Sequence, residues 1–321
     1  MKQLKLWVIG ASMMALAGCQ TTAHLKSTIE DAQTRVVKQP FVAIKQQKRP
    51  VVALVLGSGG ARGYAHIGVI EVLEKQGIHP DFIVGTSAGS IVGSIYASGK
   101  TAAELHDIAL NLKPNDVRDV NVSLKGFFNG QKVENYINRQ VNNTPLQNLK
   151  IPMYVVATEL KNGEKTVFNY GNTGQAVRAS TAIPSMFVPT KIGDTEYVDG
   201  GLVSPVPVQV ARDLGADIVI AVDILAQPIH TETSNVWGLF NQNINIMQGR
   251  LAEEELKNAD IVIQPDLKEK AHIFDVTGRE MAIQAGVDAA NEKVADLQLA
   301  IENKIKSMSI TKQDVAVNNS L

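Results

Sequence analysis

The sequence has little cysteine, no surplus of basic charge and no clustered histidines, and each shortage excludes a class of protein. One cysteine in 321 residues rules out an internal disulfide. The formal net charge of -1 argues against a nucleic-acid partner, because phosphate neutralisation requires excess lysine and arginine. The six histidines are scattered, without the close ligand pairs that zinc prefers. We therefore expect neither a metal nor another cofactor.

Long apolar runs are also missing, apart from a short one in the first 18 residues. Two lysines precede the mostly apolar stretch 6–16, and small residues follow it, which is typical of a secretory signal. The run is too short for a membrane span, which needs about 20 apolar residues. The sequence LAGC, ending at Cys19, resembles the lipobox of bacterial lipoproteins, in which the cysteine is acylated. The alternative is that Cys19 is simply a small residue in an apolar run.

The region around this cysteine predicts both a location and a domain organisation. Gln20 follows Cys19, and the absence of aspartate there implies, by resemblance to lipoproteins, the outer membrane of a Gram-negative bacterium. The next residues are polar and lysine-rich, which is typical of a tether. We predict a signal peptide at 1–18, a tether at 19–49, one domain at 50–309 and a disordered tail at 310–321.

What the rest of the sequence does contain is an alternation of buried strands and helices. VVALVL at 51–56 is an apolar, β-branched run that suits a strand buried on both faces of a sheet. A helical pattern follows from Tyr64 to a stop at Gly77, then a second strand, DFIVG, and a helix over 88–98. This order predicts an α/β fold with a mainly parallel central sheet flanked by helices.

The same pattern continues toward the C-terminus. Strands at 153–158 and 166–171 flank an Asn-Gly pair, which is a hairpin signal. Two further buried strands are predicted at 216–224 and 259–266. Apolar residues then recur at steps of four and three from Ile283 to Ile301, which predicts one apolar helix stripe packed against the sheet.

GTSAG, residues 85–89, has the spacing of a nucleophile elbow. It follows an apolar strand and precedes a helix rich in small residues, as an exposed nucleophile requires. Gly85 and Gly89 allow the turn to tighten and the neighbouring elements to approach. Ser87 is therefore a candidate nucleophile, and its alternative role is that of a helix N-cap.

GSGGARG, residues 57–63, places glycines between a strand and a helix, where backbone amides can converge on an anion. A bound phosphate is one possibility, but the dinucleotide pattern needs glycine at Arg62, and the Gly-Lys-Ser of a P-loop is absent. The other is an oxyanion hole, with Gly59, Gly60 and Arg62 as amide donors. The Arg62 side chain stays open between a helix-face cation and a contact to a lipid phosphate.

The distance along the chain favours an unusual hydrolase architecture. Gly59 and Ser87 are 28 residues apart, about one βαβ unit, which puts both at the carboxyl edge of adjacent parallel strands. An α/β-hydrolase separates its oxyanion loop from its elbow by more chain than this, so the Ser-His-Asp triad fits poorly.

Asp199 is the candidate proton acceptor. It follows a strand-like stretch and precedes Gly200 and Gly201, which allow a sharp turn and a close approach. An Asp-Gly-Gly turn without catalytic function is the alternative. Within hydrogen-bond reach of Ser87 the carboxylate can act as general base, and partial burial would raise its pKa.

GSGGARG, GTSAG, RASTAIPSMFVP and DGG, in this order, resemble the patatin-like phospholipase family from Pro50 to beyond Leu202. The resemblance implies a three-layer α/β fold, a Ser87–Asp199 dyad without histidine, an oxyanion loop at Gly59, Gly60 and Arg62, and hydrolysis of acyl esters in lipids. Ser58 departs from the pattern, because many members have glycine there. AIPSMFVP, residues 182–189, is by its own chemistry a rigid apolar loop that could line an acyl-chain pocket.

Two other functions remain open. A triad esterase would use His230 or His272 downstream of Asp199, and both lie in polar stretches typical of surface loops. A non-catalytic lipoprotein would bind lipid through the same pocket. The partners that we expect are a lipid or phospholipid substrate and a membrane, reached through the N-terminal anchor.

Overall fold

The computed structural model of the chain describes residues 49–225, 233–267 and 278–318. The strands are β1 (Val52–Leu56), β2 (Phe82–Thr86), β3 (Val120–Ser123), β4 (Gly126–Phe128), β5 (Met153–Glu159), β6 (Lys165–Phe168), β7 (Ser185–Phe187), β8 (Thr190–Ile192), β9 (Thr195–Asp199), β10 (Ile218–Val222) and β11 (Ile261–Ile263). The helices are α1 (Tyr64–Lys75), α2 (Ala88–Ala97), α3 (Ala102–Asn111), α4 (Pro114–Val117), α5 (Gln131–Gln140), α6 (Thr173–Ser180), α7 (Val208–Asp213), α8 (Val236–Leu256), α9 (Arg279–Glu292) and α10 (Val294–Asn318).

The central sheet is mainly parallel, as predicted. Strands β11, β10, β1, β2 and β5 are neighbours in that order and run parallel, whereas β6, β9 and β8 are antiparallel to their partners. A small second sheet contains β3, β4 and β7. The prediction of a loop over 182–189 is corrected at Ser185–Phe187, which pairs with β4 as an edge strand.

Helices cover both faces of the central sheet. Along β1, Leu54 and Leu56 point into one apolar core and Ala53 and Val55 into the other, because successive side chains of a strand alternate. The first core contains residues of α1, α2, α3, α5, α6 and α9, and the second contains residues of α7 and α8. The result is the α/β fold that the sequence pattern predicted, with the three layers that the family resemblance implied.

The strands and helices predicted from the first half of the sequence are present. Helix α1 ends at Lys75, and Gly77 has φ +67°, a left-handed conformation that glycine adopts without strain. The Asn-Gly hairpin between β5 and β6 also forms, with Gly163 at φ +73°. Strands β10 and β11 lie within the two apolar runs predicted to be buried.

The C-terminal apolar stripe is shared by two helices rather than one. Ile283, Ala290 and Leu297 of the stripe are buried, but the helix is interrupted at Lys293. Helix α9 packs closely on α1, because Gly68 and Gly286 have no side chains to keep the two backbones apart. Helix α10 includes residues 310–318, where the sequence predicted a disordered tail.

Residues 1–48 lie outside the described part of the chain, so the predicted signal peptide, Cys19 and nearly all of the tether do as well. Within the ranges that are described, no helix combines the length and apolar character needed to cross a bilayer.

Candidate active site

Ser87 lies on a strained turn between β2 and α2. Its φ of 52° and ψ of -119° are unusual for a residue with a side chain. The turn is possible because a Cβ on Gly89 would lie 2.0 Å from the carbonyl oxygen of Leu56, so only glycine fits there. A Cβ on Gly85 would lie 2.7 Å from the carbonyl oxygen of Gly89. The predicted elbow therefore has the geometry that its glycines indicate.

The hydroxyl of Ser87 donates a hydrogen bond of 2.6 Å to Oδ2 of Asp199. The other carboxylate oxygen, Oδ1, accepts a bond of 2.7 Å from the amide of Gly201. Both side chains are buried, with 4 % and 3 % of their residues' surface exposed. The two residues that the sequence paired are thus in direct contact.

Burial changes the acidity of this carboxylate. Desolvation raises the pKa of Asp199 from 3.8 to about 6, against the opposing effect of its hydrogen bonds from Ser87 and Gly201. A carboxylate with a pKa near 6 is a better proton acceptor than an exposed one, yet is still ionised at neutral pH.

The sequence indicated no role for Ser180, whose side chain contacts the backbone of the elbow. Its hydroxyl oxygen accepts a bond of 2.8 Å from the amide of Ser87 and donates one of 2.6 Å to the carbonyl of Val156. The elbow amide is therefore satisfied inside the protein. Ser180 lies in the RASTAIPSMFVP segment, but nothing in the spacing of that segment indicates which serine would contact the elbow.

The glycine loop forms a short 3₁₀ turn, residues 60–63, beside Ser87. Within the described residues, the amides of Gly59 and Gly60 have no hydrogen-bond acceptor, whereas the amide of Arg62 donates 3.3 Å to the carbonyl of Gly59. Two of the three predicted oxyanion donors therefore lack an acceptor in the described part of the chain, and the amide of Arg62 is engaged. Gly60 lines the same cavity as Ser87.

The Arg62 side chain is partly buried rather than exposed on a helix surface. Its Nε is buried without a hydrogen-bond partner among the described residues. Burial lowers the pKa of Arg62 to about 10, and the nearby Asp223 carboxylate partly offsets this. Among the described residues, the charged group near Arg62 is Asp223, and both roles left open for this side chain stay predictions.

An apolar cavity of about 200 Å³ opens beside Ser87. Helices α1, α2, α3 and α5 supply most of its wall, with aliphatic side chains in contact with the empty space. Ile183 and Phe187 of the 182–189 segment also line it, as the sequence allowed. The aliphatic lining includes Ile67, Ile91, Ile95, Leu105, Ile108 and Ile137.

Arg279 binds the end of α3, a helix that forms one wall of this cavity. The sequence did not indicate this role. The guanidinium donates to the carbonyls of Ala109 and Leu110 at 2.8 Å and of Leu112 at 2.6 Å. It also lies 5.6 Å from the centre of the Tyr64 ring. A buried cation thereby satisfies the C-terminal carbonyls of α3, the helix that carries Leu105 and Ala109 into the cavity.

None of the histidines within the described ranges contacts Ser87. His66 is fully buried, and its Nε2 lies 2.9 Å from the carbonyl oxygen of Gly57, below the glycine loop. Desolvation lowers the pKa of His66 to about 4, so this imidazole is neutral. His230 and His272, the candidates for a triad, lie outside the described residues.

A serine on a strained elbow, bonded to a buried carboxylate in an α/β fold, defines a class of serine-hydrolase-like proteins. Residues 54–212 match the model of the family named Patatin-like phospholipase. The chain belongs to the patatin-like phospholipase family.

Known proteins are similar to parts of this chain. An uncharacterized NTE family protein of Mycobacterium tuberculosis is 35 % identical over 183 residues, 56 % of this chain and 51 % of its own length. Lysophospholipase NTE1 of Scheffersomyces stipitis is 25 % identical over 260 residues, 70 % of this chain and 17 % of its own. The chain thus spans about half the length of the mycobacterial relative. The crystal structure of VipD from Legionella pneumophila is similar at a TM-score of 0.44 and 15 % identity, over 83 % of this chain and 72 % of that one.

Proposed function

We propose that this protein is a serine acyl hydrolase that cleaves fatty acyl esters of lipids through a Ser87 acyl-enzyme. The observation that carries the proposal is the 2.6 Å hydrogen bond to Asp199 from Ser87, which lines an apolar cavity. Nucleophile and base are already within the distance that proton transfer requires.

The chemistry follows from these contacts. The Ser87 oxygen attacks the ester carbonyl while its proton passes to Oδ2 of Asp199. The charge on the carbonyl oxygen is stabilised by the amides of Gly59 and Gly60, for which the described residues provide no other acceptor. When the tetrahedral intermediate collapses, the alcohol leaves with the proton from Asp199. Water then attacks the acyl-enzyme, Asp199 accepts its proton, and that proton returns to Ser87 as the fatty acid departs.

The substrate class is supported by the cavity and by one relative. A pocket lined by aliphatic side chains suits an acyl chain, because burial of each CH₂ group contributes about 0.8 kcal/mol. The Scheffersomyces relative is named a lysophospholipase, and a lysophospholipid is an ester of the proposed kind. We therefore propose phospholipids or lysophospholipids as substrates.

We further propose that Cys19 carries lipid and that the protein is exported to the outer membrane. The support is the LAGC sequence and the Gln20 that follows it. Metabolic labelling with a radioactive fatty acid, compared between the wild type and Cys19→Ser, tests the acylation directly. An equally labelled Cys19→Ser protein would contradict it.

Fluorophosphonate labelling tests the nucleophile. We expect the wild type to be labelled and Ser87→Ala to be unlabelled, while Ser98→Ala, a change at the far end of α2, keeps full labelling. Incubation with defined phospholipids and mass spectrometry of the released acids then tests the substrate class.

The alternatives predict other results. A triad esterase would lose activity in His230→Ala or His272→Ala as severely as in Ser87→Ala. A non-catalytic lipid-binding protein would release no fatty acid from any ester, although the protein is folded. Either outcome would replace the proposed mechanism.

A further inference from the structure

One hairpin exposes apolar side chains that the proposed mechanism does not use. Strands β3 and β4 pair at Ser123 and Gly126, so Leu124 and Lys125 form the tip. Leu124 is fully exposed, Val120 is 85 % exposed and Phe127 is 64 % exposed. Three large apolar side chains on one short hairpin are costly to leave in water, and such clusters mark interaction sites.

The hairpin adjoins the rim of the cavity. Val117 and Arg118, which lead directly into β3, both line the cavity. Strand β4 pairs with β7, whose Phe187 also lines it, and the rings of Phe128 and Phe187 are 5.5 Å apart. An acyl chain bound by the hairpin would therefore be next to the cavity.

The charges around the hairpin have an excess of positive sign. Residues 113–132 contain three lysines and one arginine but only two aspartates. Both aspartates accept hydrogen bonds from backbone amides, Asp116 from Lys113 and Asp119 from Gly130 and Lys132. Lys125 at the tip is exposed and pairs with Glu196, whose carboxylate reduces the excess around the hairpin to one positive charge. This surface complements anionic lipid headgroups.

We propose that the β3–β4 hairpin, residues 120–128, is a lipid-docking element whose apolar side chains enter a membrane surface beside the cavity. The proposal rests on the lipid substrate of the proposed function. A lipid surface is a better occupant than a second copy of the chain, because three side chains fall far short of the roughly 800 Å² per partner in a stable interface. Basic residues beside apolar ones are also the composition of interfacial membrane-binding segments.

The test uses a fluorophore on the hairpin of the full chain. In a Cys19→Ser, Ser87→Ala background, Leu124→Cys is labelled with an environment-sensitive dye and mixed with vesicles of phosphatidylcholine and phosphatidylglycerol at equal amounts. We expect the emission to rise on vesicle addition and to be quenched by nitroxide on the lipid acyl chains.

A matched position serves as control. Leu299 on α10 is also exposed, and the neighbouring Gln298 contacts Gln76, which follows the end of α1 that is farther from the glycine loop. The dye on Leu299→Cys should not be quenched. Adding Phe127→Asp to the Leu124→Cys protein should raise the lipid concentration for half-maximal quenching about tenfold or more, because one apolar contact is replaced by a charge.

Three outcomes would overturn the proposal. The dye at position 124 is not quenched, or the dye at position 299 is quenched equally, or light scattering shows a dimer that shields position 124 before vesicles are added. The last result would assign the hairpin to self-association. Because every protein here carries Ser87→Ala, the result does not depend on hydrolysis. Fluorophosphonate labelling can therefore contradict the proposed function while the hairpin still docks. Equally, the hairpin can fail to dock while labelling supports the proposed function.

Discussion

Oγ of Ser87 and Oδ2 of Asp199 lie 2.6 Å apart, although 112 residues separate them along the chain. Strand β5 brings them together. One of its edges pairs with β6, and the other pairs first with β2, up to Val156, and then with β9, from Ala157 onward. The ends of β2 and β9 therefore meet on consecutive residues of one strand.

The contact between Ser87 and Asp199 also depends on a glycine, Gly200. A Cβ on Gly200 would lie 2.2 Å from the carbonyl oxygen of Val156, so the chain can turn after Asp199 only without a side chain there. The hydroxyl of Thr158 fixes the carbonyl of Asp199 at 2.9 Å. The carboxylate is held by its neighbours before any substrate arrives, which is the preorganisation that proton transfer benefits from.

The first prediction concerns the pH dependence of hydrolysis. Asp199 must be ionised to accept a proton, and its pKa is about 6. We expect kcat/KM to rise roughly tenfold per pH unit below that value and to level off above it. Asp199→Asn should lower kcat/KM by about 10² to 10⁴-fold, because an amide cannot accept the proton. A flat profile between pH 5 and pH 8, from stopped assays with a water-soluble ester, would contradict the role of Asp199.

The second prediction concerns Ser180 as a positioning residue. Ser180→Ala leaves the buried amide of Ser87 without its acceptor, which should cost about 1–3 kcal/mol of unfolding free energy. Because the elbow is displaced, kcat should fall more than KM changes. Ser98→Ala is the control, since the Ser98 hydroxyl only bonds the carbonyl of Ile95 at a helix end. Equal kcat in the two variants, measured with the same ester, would remove Ser180 from the site's support.

The third prediction concerns stability and Glu255. Burial raises the pKa of Glu255 from 4.5 to about 7, although its carboxylate accepts bonds from the hydroxyl of Ser204 and the amide of Val206. The folded protein then binds more protons at this group than the unfolded chain does between those pH values. The contribution of Glu255 to stability is therefore lost as pH rises through that window, by about 3 kcal/mol in total.

Urea unfolding at pH 5 and pH 8 measures this effect. Glu255→Gln keeps the side chain neutral, so its unfolding free energy should fall less between the two pH values than that of the wild type. Glu254→Gln is the matched control, because Glu254 is exposed on the same helix. If the Glu255 variant and the control have the same pH dependence as the wild type, the buried carboxylate does not titrate as expected.

The fourth prediction concerns Arg279 and the cavity wall. Arg279→Ala leaves the carbonyls of Ala109, Leu110 and Leu112 without their donor and should cost about 2–4 kcal/mol of unfolding free energy. Because these carbonyls end the helix that lines the cavity, the preference among ester chain lengths should change as well. Arg250→Ala, at an exposed ion pair, should change stability by less than about 0.5 kcal/mol. If the Arg279 variant keeps the wild-type preference among ester acyl-chain lengths, Arg279 does not influence the acyl-binding cavity.

The sequence predicted the strands and helices whose signals are local. The run at 51–56 becomes β1, the elbow connects β2 to α2, and the Asn-Gly pair turns between β5 and β6. Each of these elements is specified by apolar periodicity and glycine within one short segment. The start of helix α3 also carries a local signal, because Thr101 and Glu104 form a capping box there.

The cavity and its supports were not predictable in this way. Ile67 of α1, Leu105 of α3 and Ile137 of α5 line one space although they belong to separate helices, and each reads in the sequence as an ordinary core residue. Arg279 lies at the start of α9, yet its side chain caps α3, some 170 residues earlier in the chain. Such roles depend on which helices pack together. Apolar periodicity shows which face of a helix is buried, but it does not show which other helix that face contacts.

The sequence by itself determined that a serine would stand on a glycine-flanked turn after a buried strand, and that an aspartate would precede a tight turn, because both features need only the residues beside them. The tertiary structure alone decided that the two side chains touch, that the elbow amide is satisfied by Ser180, and that an apolar cavity opens at the same point. The physical reason is that hydrogen bonds and cavities are set by distances across the sheet, and these are fixed only once β2, β5 and β9 are paired.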